Sequence, residues 1–398
     1  MKSIIGRIKT ALIHTLIIFT TVIFTLFIFD KFLGSRGLPN LPVIDMEANE
    51  NTLRTLELFP YSGWHIQANF HHKGDMPWEH QPYKDYDVKS GSMGFFVDFD
   101  LNDPPPKGPN EFRIILIGGS GAQGWGARTN EDMLYRQLEH KLNSLLKDTG
   151  FEFKVINMAM GASIAYQNFI DLNRFAHPLE PDFILSYSGV NDISVPFHAQ
   201  NLNDGFYYFN QLNALALASR GSEFPPRIRP LVKLFPNIFK KTRLGMAFKT
   251  AFSSSYFMDR AQQSYKESRG LDYTDNKRFF NEVVVPFYVS SMESIKRDFS
   301  GIPIMIAWQA KSKEEAGNFE AELGTGYYND MFERVSRKLD GYYNKEWYFI
   351  NIHKMFEGDP RPEIATHLGN EGHKLVAGII ASELASAIRR RISATNIK

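Results

Sequence analysis

Cysteine is absent from the 398 residues of this chain. That excludes disulfide staples, thiolate-bound zinc, iron–sulfur clusters and a thiol nucleophile, and it leaves the compartment open. Charge of one sign is also missing: 45 Lys and Arg stand against 44 Asp and Glu, a formal net charge of +1. A chain that grips phosphate backbones carries a basic surplus, so nucleic acid is not expected as a partner. Neither an internal repeat nor a low-complexity tract occurs. What is present is 43% hydrophobic and 22% charged residues. That composition can bury a sizeable core and excludes wholesale disorder. The length suits two or three average domains, or one large domain with insertions.

One long apolar run stands out. Residues 11–29, ALIHTLIIFTTVIFTLFIF, hold no formal charge at neutral pH. Their 19 positions match the length of a helix that crosses a hydrocarbon core. Lys2, Arg7 and Lys9 precede the run, so the positive-inside tendency puts residues 1–10 in the cytoplasm. A cleaved signal peptide and a buried core helix are the rival readings. With the run as an uncleaved single-pass anchor, the rest of the chain is extracytoplasmic, and periplasmic in a Gram-negative source. Residues 30–60, with Pro39, Pro42 and Pro60, are expected to form a stalk. Residues 61–111 form an aromatic-rich extension with short β-like runs such as Gly94-Phe95-Phe96-Val97, closed by the stiff spacer Pro104-Pro105-Pro106.

Strand–helix alternation follows. FRIILI at 112–117 is a buried strand ending at Gly118-Gly119. Thr129 and Asp132 have capping-box spacing, and Leu134, Leu138, Leu142 and Leu145 recur at helical spacing. Further strands are expected at 153–156, 183–187, 303–308 and 347–352, and helices at 165–177, 276–299, 326–342 and 371–391. Residues 196–272 break the rhythm and are read as an insertion, a lid or a membrane-facing element. Within it Arg220, Arg227, Arg229, Lys233, Lys240, Lys241, Arg243 and Lys249 face a single acid, Glu223. This alternation predicts an α/β fold with a five-stranded parallel sheet covered on both faces. Reactive groups in such sheets gather at the C-terminal strand ends.

Those ends carry the chemistry. The first strand runs into GGSGAQGWG, which places Ser120 between glycines, and the helix behind it would turn its positive end towards developing charge. The second leads to Asn157-Met158-Ala159-Met160-Gly161 and the third to Ser188-Gly189-Val190-Asn191-Asp192. The last helix is preceded by THLGNEGH, with His367 in the loop after the fifth strand. A serine hydroxyl, an imidazole base and N–H donors from Ser120, Gly161 and Asn191 are the parts of an acyl-transfer site.

In these four blocks, over roughly 112–195 and 273–392, the chain resembles the SGNH (GDSL-type) hydrolases. The resemblance implies a flavodoxin-like three-layer α/β/α sandwich that cleaves or transfers esters without a cofactor or metal. It implies Ser120 as nucleophile, His367 as base, and an oxyanion hole made of Ser120, Gly161 and Asn191. Two departures stand out. The usual Asp three residues before the base is Ile364 here, which leaves three options: Glu363, a more distant carboxylate such as Asp359, or no side-chain acid. Gly119 also stands where many members have Asp.

Other residues read more plainly. Asp192 is expected to cap a helix, His373 to sit solvated in the first turn of the last helix, and the adjacent His71 and His72 to lie on a surface strand. Trp125 is expected to pack near the site. Cations at Arg389, Arg390 and Arg391 suit a helix C-terminus. The reading is therefore a membrane-anchored extracytoplasmic esterase for an ester of an envelope carbohydrate, an O-acetyl group ahead of a lipid ester. An O-acyltransferase, a lipid esterase with the same Ser–His pair, and a non-catalytic glycan-binding protein are the alternatives.

Overall fold

The computed structural model describes residues 56–59, 62–74, 85–161, 163–193, 276–311, 320, 323–341, 346–357, 359, 361 and 367–395. The apolar run 11–29, the insertion 196–272, and Glu363 with Ile364 lie outside these residues. Among the described residues, no helix is long and apolar enough to cross a membrane.

Five parallel strands form the central sheet: β5 (Glu111–Gly118), β6 (Glu152–Asn157), β7 (Phe183–Ser188), β8 (Ile304–Trp308) and β9 (Trp347–Asn351). Their spatial order is β6-β5-β7-β8-β9. β7 and β8 are buried at every position, as strands covered on both faces must be, which is why they read as unbroken apolar runs.

The helices are α1 (Ser120–Gln123), α2 (Leu134–Leu145), α3 (Ala165–Phe175), α4 (Val285–Asp298, entered through a helical turn at Asn276–Phe279 and a π-helical turn at Phe280–Val284), α5 (Tyr327–Asp340), α6 (Ile352–Met355) and α7 (Asn370–Thr395). α2 packs against α7, whereas α3 packs against α4 and α4 against α5. This division into two helix layers follows from strand order. The chain moves outward from β5 to β6, then reverses to β7, β8 and β9. Crossovers of one hand place their helices on opposite faces when the direction reverses. The neighbours β5 and β7 flank that reversal, and their C-terminal ends form the crevice where open sheets of this order bind ligands.

The residues that form α2 illustrate the packing. Leu134, Leu138 and Leu142 are fully buried, each contributing about 1.5–3 kcal/mol by burial. Leu145 is left largely exposed. The expected capping box is different in kind. Thr129 Oγ1 donates to Asp132 Oδ2 at 2.8 Å, within a 3-10 turn at Asn130–Asp132. Met133 then occupies the N-cap of α2 without a side-chain hydrogen bond.

The N-terminal extension begins earlier than its boundary at 61. β1 (Leu56–Phe59) takes the last part of the expected stalk and pairs antiparallel with β2 (Gly63–Ile66), while β3 (His71–Gly74) pairs with β4 (Tyr86–Lys89). The run 94–97 is three bends and an irregular residue rather than a strand. Its Phe95 and Phe96 are buried all the same, because aromatic rings can fill a core from a loop as well as from a strand. Two side chains fasten the extension to α3. Buried His65 shares a hydrogen bond with Asp171 at 3.3 Å, and Gln167 Nε2 donates to Ser62 O. His71 and His72 lie on a partly exposed strand, as expected, with His71 bonded to Asp87. α7 continues past Arg391, and Arg389 forms an ion pair with Asp148.

Candidate active site

Ser120 lies just beyond β5, at the first position of α1. The helix expected there is one turn long. Gly124, at φ 114°, takes a left-handed conformation and ends it, so the dipole available to a charge at Ser120 is that of a single turn. Trp125 N and Gly124 N both donate to Ser120 O, at 3.0 and 3.1 Å. The Ser120 side chain is nearly buried, and His367 opens to solvent.

Ser120 Oγ and His367 Nε2 are 2.8 Å apart, across 247 residues of chain. Two contacts hold the loop that carries His367, and a third lies against its ring. Gly126, at φ +94°, lets the His367–Leu368 backbone come so close that a Cβ on residue 126 would stand 2.3 Å from Leu368 O. Asn370 Oδ1 accepts from Arg128 N at 2.9 Å. The Trp125 ring lies beside the His367 ring, with centroids 5.8 Å apart.

The remaining sequence-selected residues converge on the same edge. Asn191, in the turn after β7, donates from Nδ2 to Ser163 O at 3.1 Å. That amide crowds residue 119, where a Cβ would stand 2.1 Å from Asn191 Nδ2. The departure from Asp at 119 therefore has a physical reason: with Asn191 in this position, only a residue without a side chain fits. Gly161 follows β6, on a loop held by the Met160 N to Gly118 O bond at 3.1 Å. A Cβ there would meet Gln123 Oε1 at 3.1 Å and Trp125 Nε1 at 3.5 Å. Asn157, at the head of that block, fastens the loop by donating to Gln123 O and accepting from Ala159 N.

Carboxylates near this edge have other partners. Asp192 is buried and accepts from Ala165 N at 2.7 Å, at the first residue of α3, and from Gly189 N. Burial pushes its carboxyl up to about 6. Asp359 is gripped by Arg361 through two nitrogens, and that hydrogen bonding holds it down at about 2. Among the described residues, no cluster of three or more His, Asp or Glu could hold a metal ion. A polar cleft opens between the extension and Thr129–Glu131, edged by Asp87, Asp98, Asp100 and Glu131, and Ser120 is not among the residues that line it.

His373 differs from its expected solvated position. It is fully buried, packed against the backbone of Gly124 and Trp125, and burial lowers its pKa to about 3. Sequence reasoning missed it because a polar residue in a first helical turn usually faces water, and only the fold brings the Gly124–Trp125 loop over this turn. Its effect on stability has a definite sign. Below about pH 6.5 the unfolded imidazole takes up a proton that the folded one refuses. The contribution is therefore full above pH 6.5 and is lost as pH falls towards 3. Between pH 7 and pH 5, wild type should lose about 2 kcal/mol more stability than His373→Phe. Urea unfolding at both pH values measures this, and the opposing titration of Asp192, present in both proteins, cancels. Equal losses would contradict it.

Comparisons with known proteins place these features beside others. No family model matches the chain, and no curated protein compared with it matches. Similar solved structures include a lipase/acylhydrolase from Enterococcus faecalis, at 12% identity and TM-score 0.39, covering 69% of this chain and 96% of that one. A GDSL-like lipase from Bacteroides thetaiotaomicron is similar at 9% identity and TM-score 0.35, covering 74% and 94%. A family 3 carbohydrate esterase from Clostridium thermocellum is similar at 12% identity and TM-score 0.38, covering 71% and 99%.

Proposed function

We propose that this chain is a serine ester hydrolase of the SGNH kind. The observation that carries this reading is the 2.8 Å contact between Ser120 Oγ and His367 Nε2 at the C-terminal end of the sheet. As the Ser120 Oγ–carbonyl bond forms, the hydroxyl proton passes to His367 Nε2 and the π pair moves onto the carbonyl oxygen. Ser120 N, Gly161 N and Asn191 Nδ2 receive that charge, which exists only in the transition state and the tetrahedral intermediate. The carbon–alkoxy bond then breaks. The alcohol leaves with the proton from His367, and water hydrolyses the acyl-enzyme by the same steps in reverse order. Glu363 is assigned the orientation of His367 from its place four residues earlier in the chain. Asp359 suits that task less, since Arg361 already holds it.

In this proposal residues 11–29 hold the protein to a membrane, with the catalytic part on the extracytoplasmic side. The substrate is an ester borne by an envelope carbohydrate, an O-acetyl group in the first instance. The uncharged 19-residue run supports that placement. Labelling with a fluorophosphonate tests the chemistry directly. Wild type should be modified at Ser120, and Ser120→Ala should not. A folded wild type that resists labelling would favour the binding-protein alternative.

A further inference from the structure

Among the described residues, Trp125 is an aromatic side chain beside the Ser120–His367 pair. Its ring lies 5.8 Å from the His367 ring, tilted by 34°. Its Nε1 lies 3.5 Å from the point where a Cβ on Gly161 would stand. Its own backbone N–H is bonded to Ser120 O. The indole thus spans the gap between the base and the Gly161 side of the oxyanion site, and it is partly exposed.

The geometry of acyl transfer gives that gap a meaning. Around the carbon attacked by Ser120 Oγ, three other substituents point in three directions. The oxyanion turns towards Gly161 and Asn191. The leaving oxygen must come to His367 Nε2, because that nitrogen returns the proton as the carbon–oxygen bond breaks. The acyl chain takes the third direction, away from both. A side chain that lies beside both His367 and Gly161 is therefore placed on the side of the leaving alcohol and not of the acyl chain.

We infer that Trp125 is a specificity-determining residue that receives the alcohol part of the ester, and that this alcohol is a pyranose ring. A flat, partly exposed indole presents a large apolar face at low entropic cost, and the C–H face of a sugar ring is flat and apolar in the same way. A short aliphatic alcohol covers little of that face. The inference rests on the esterase reading and deepens it, by naming the residue that receives the sugar of the carbohydrate ester.

The experiment compares wild type, Trp125→Ala and Trp125→Phe on an O-acetylated methyl glucoside and on ethyl acetate. The quantity read is the ratio of the two kcat/KM values. Wild type should favour the sugar ester. The ratio should fall about tenfold in Trp125→Ala, chiefly through a higher KM for the sugar ester, and should be largely kept in Trp125→Phe. If Trp125→Ala does not fold, Trp125→Leu, apolar but without a flat face, is read in the same way. A ratio unchanged by loss of the ring would overturn the inference, since both esters would then depend only on support of His367. A wild type that cleaves ethyl acetate as readily as the sugar ester would overturn it too. Failure of the parent reading looks different, because Ser120 then resists the fluorophosphonate and neither ester is cleaved.

Discussion

Replacing His367 with alanine is expected to lower kcat for ester cleavage by about 10⁴–10⁶-fold and to leave the fold intact. A serine hydroxyl is a weak nucleophile at neutral pH and needs a base at the moment of attack. Nε2 of His367 is within hydrogen-bond distance of Ser120 Oγ. The other histidine of this neighbourhood, His373, is walled off beneath Gly124 and Trp125 and stays uncharged. The fold should tolerate the change because His367 is exposed. Its loop is fastened by backbone approach at Gly126 and by Asn370, none of which involves the imidazole. Exposed positions of this sort move stability by about 0.5 kcal/mol or less. Serine and histidine act as one unit, so Ser120→Ala/His367→Ala should be no slower than either single variant. Spectrophotometric assay of a chromogenic acetate, with a thermal melt of each protein, measures both halves. A loss below about tenfold would mean that the hydrogen bond is not used in the reaction.

The sequence made the sheet legible because its strands are covered on both sides. FRIILI and the run 183–187 have no polar face to blur the pattern, and the structure extends each of them by only a residue or two. The leucines of α2 were legible for the complementary reason: one face of that helix is wet. The extension was harder. Phe95 and Phe96 carry the same burial signal as strand residues while lying in bends, and apolar composition alone does not encode backbone direction.

Site geometry divided along similar lines. Short glycine-rich or small-polar blocks after successive strands lead to one edge, because parallel strands share a direction, and Ser120, Gly161, Asn191 and His367 could therefore be named together. What could not be read was anything that depends on packing between blocks. The one-turn length of α1 is set by the left-handed Gly124. The burial of His373 is set by the Gly124–Trp125 loop, which lies far earlier in the chain and meets the last helix only in the fold. The absence of a side chain at 119 is explained only by where Asn191 places its amide.

That last contact yields a second large effect. Asn191→Ala should lower kcat by about 10²–10³-fold with little change in KM, since an oxyanion donor acts on charge that appears only in the transition state. Gly119→Ala should approach the same loss without touching any reacting group. The new methyl would need to stand 2.1 Å from Asn191 Nδ2, so the amide must swing away and give up its bond to Ser163 O. The two substitutions remove one function by different routes, and the double variant should be little worse than Asn191→Ala alone. If Gly119→Ala and Asn191→Ala instead multiplied their losses, residue 119 would be acting on Ser120 itself and not through the amide. Steady-state kinetics on one chromogenic ester, for the two single variants and the double, distinguishes these outcomes. Retention of fluorophosphonate labelling in each would show that the nucleophile is still in place, which puts the loss on the stabilisation of the oxyanion.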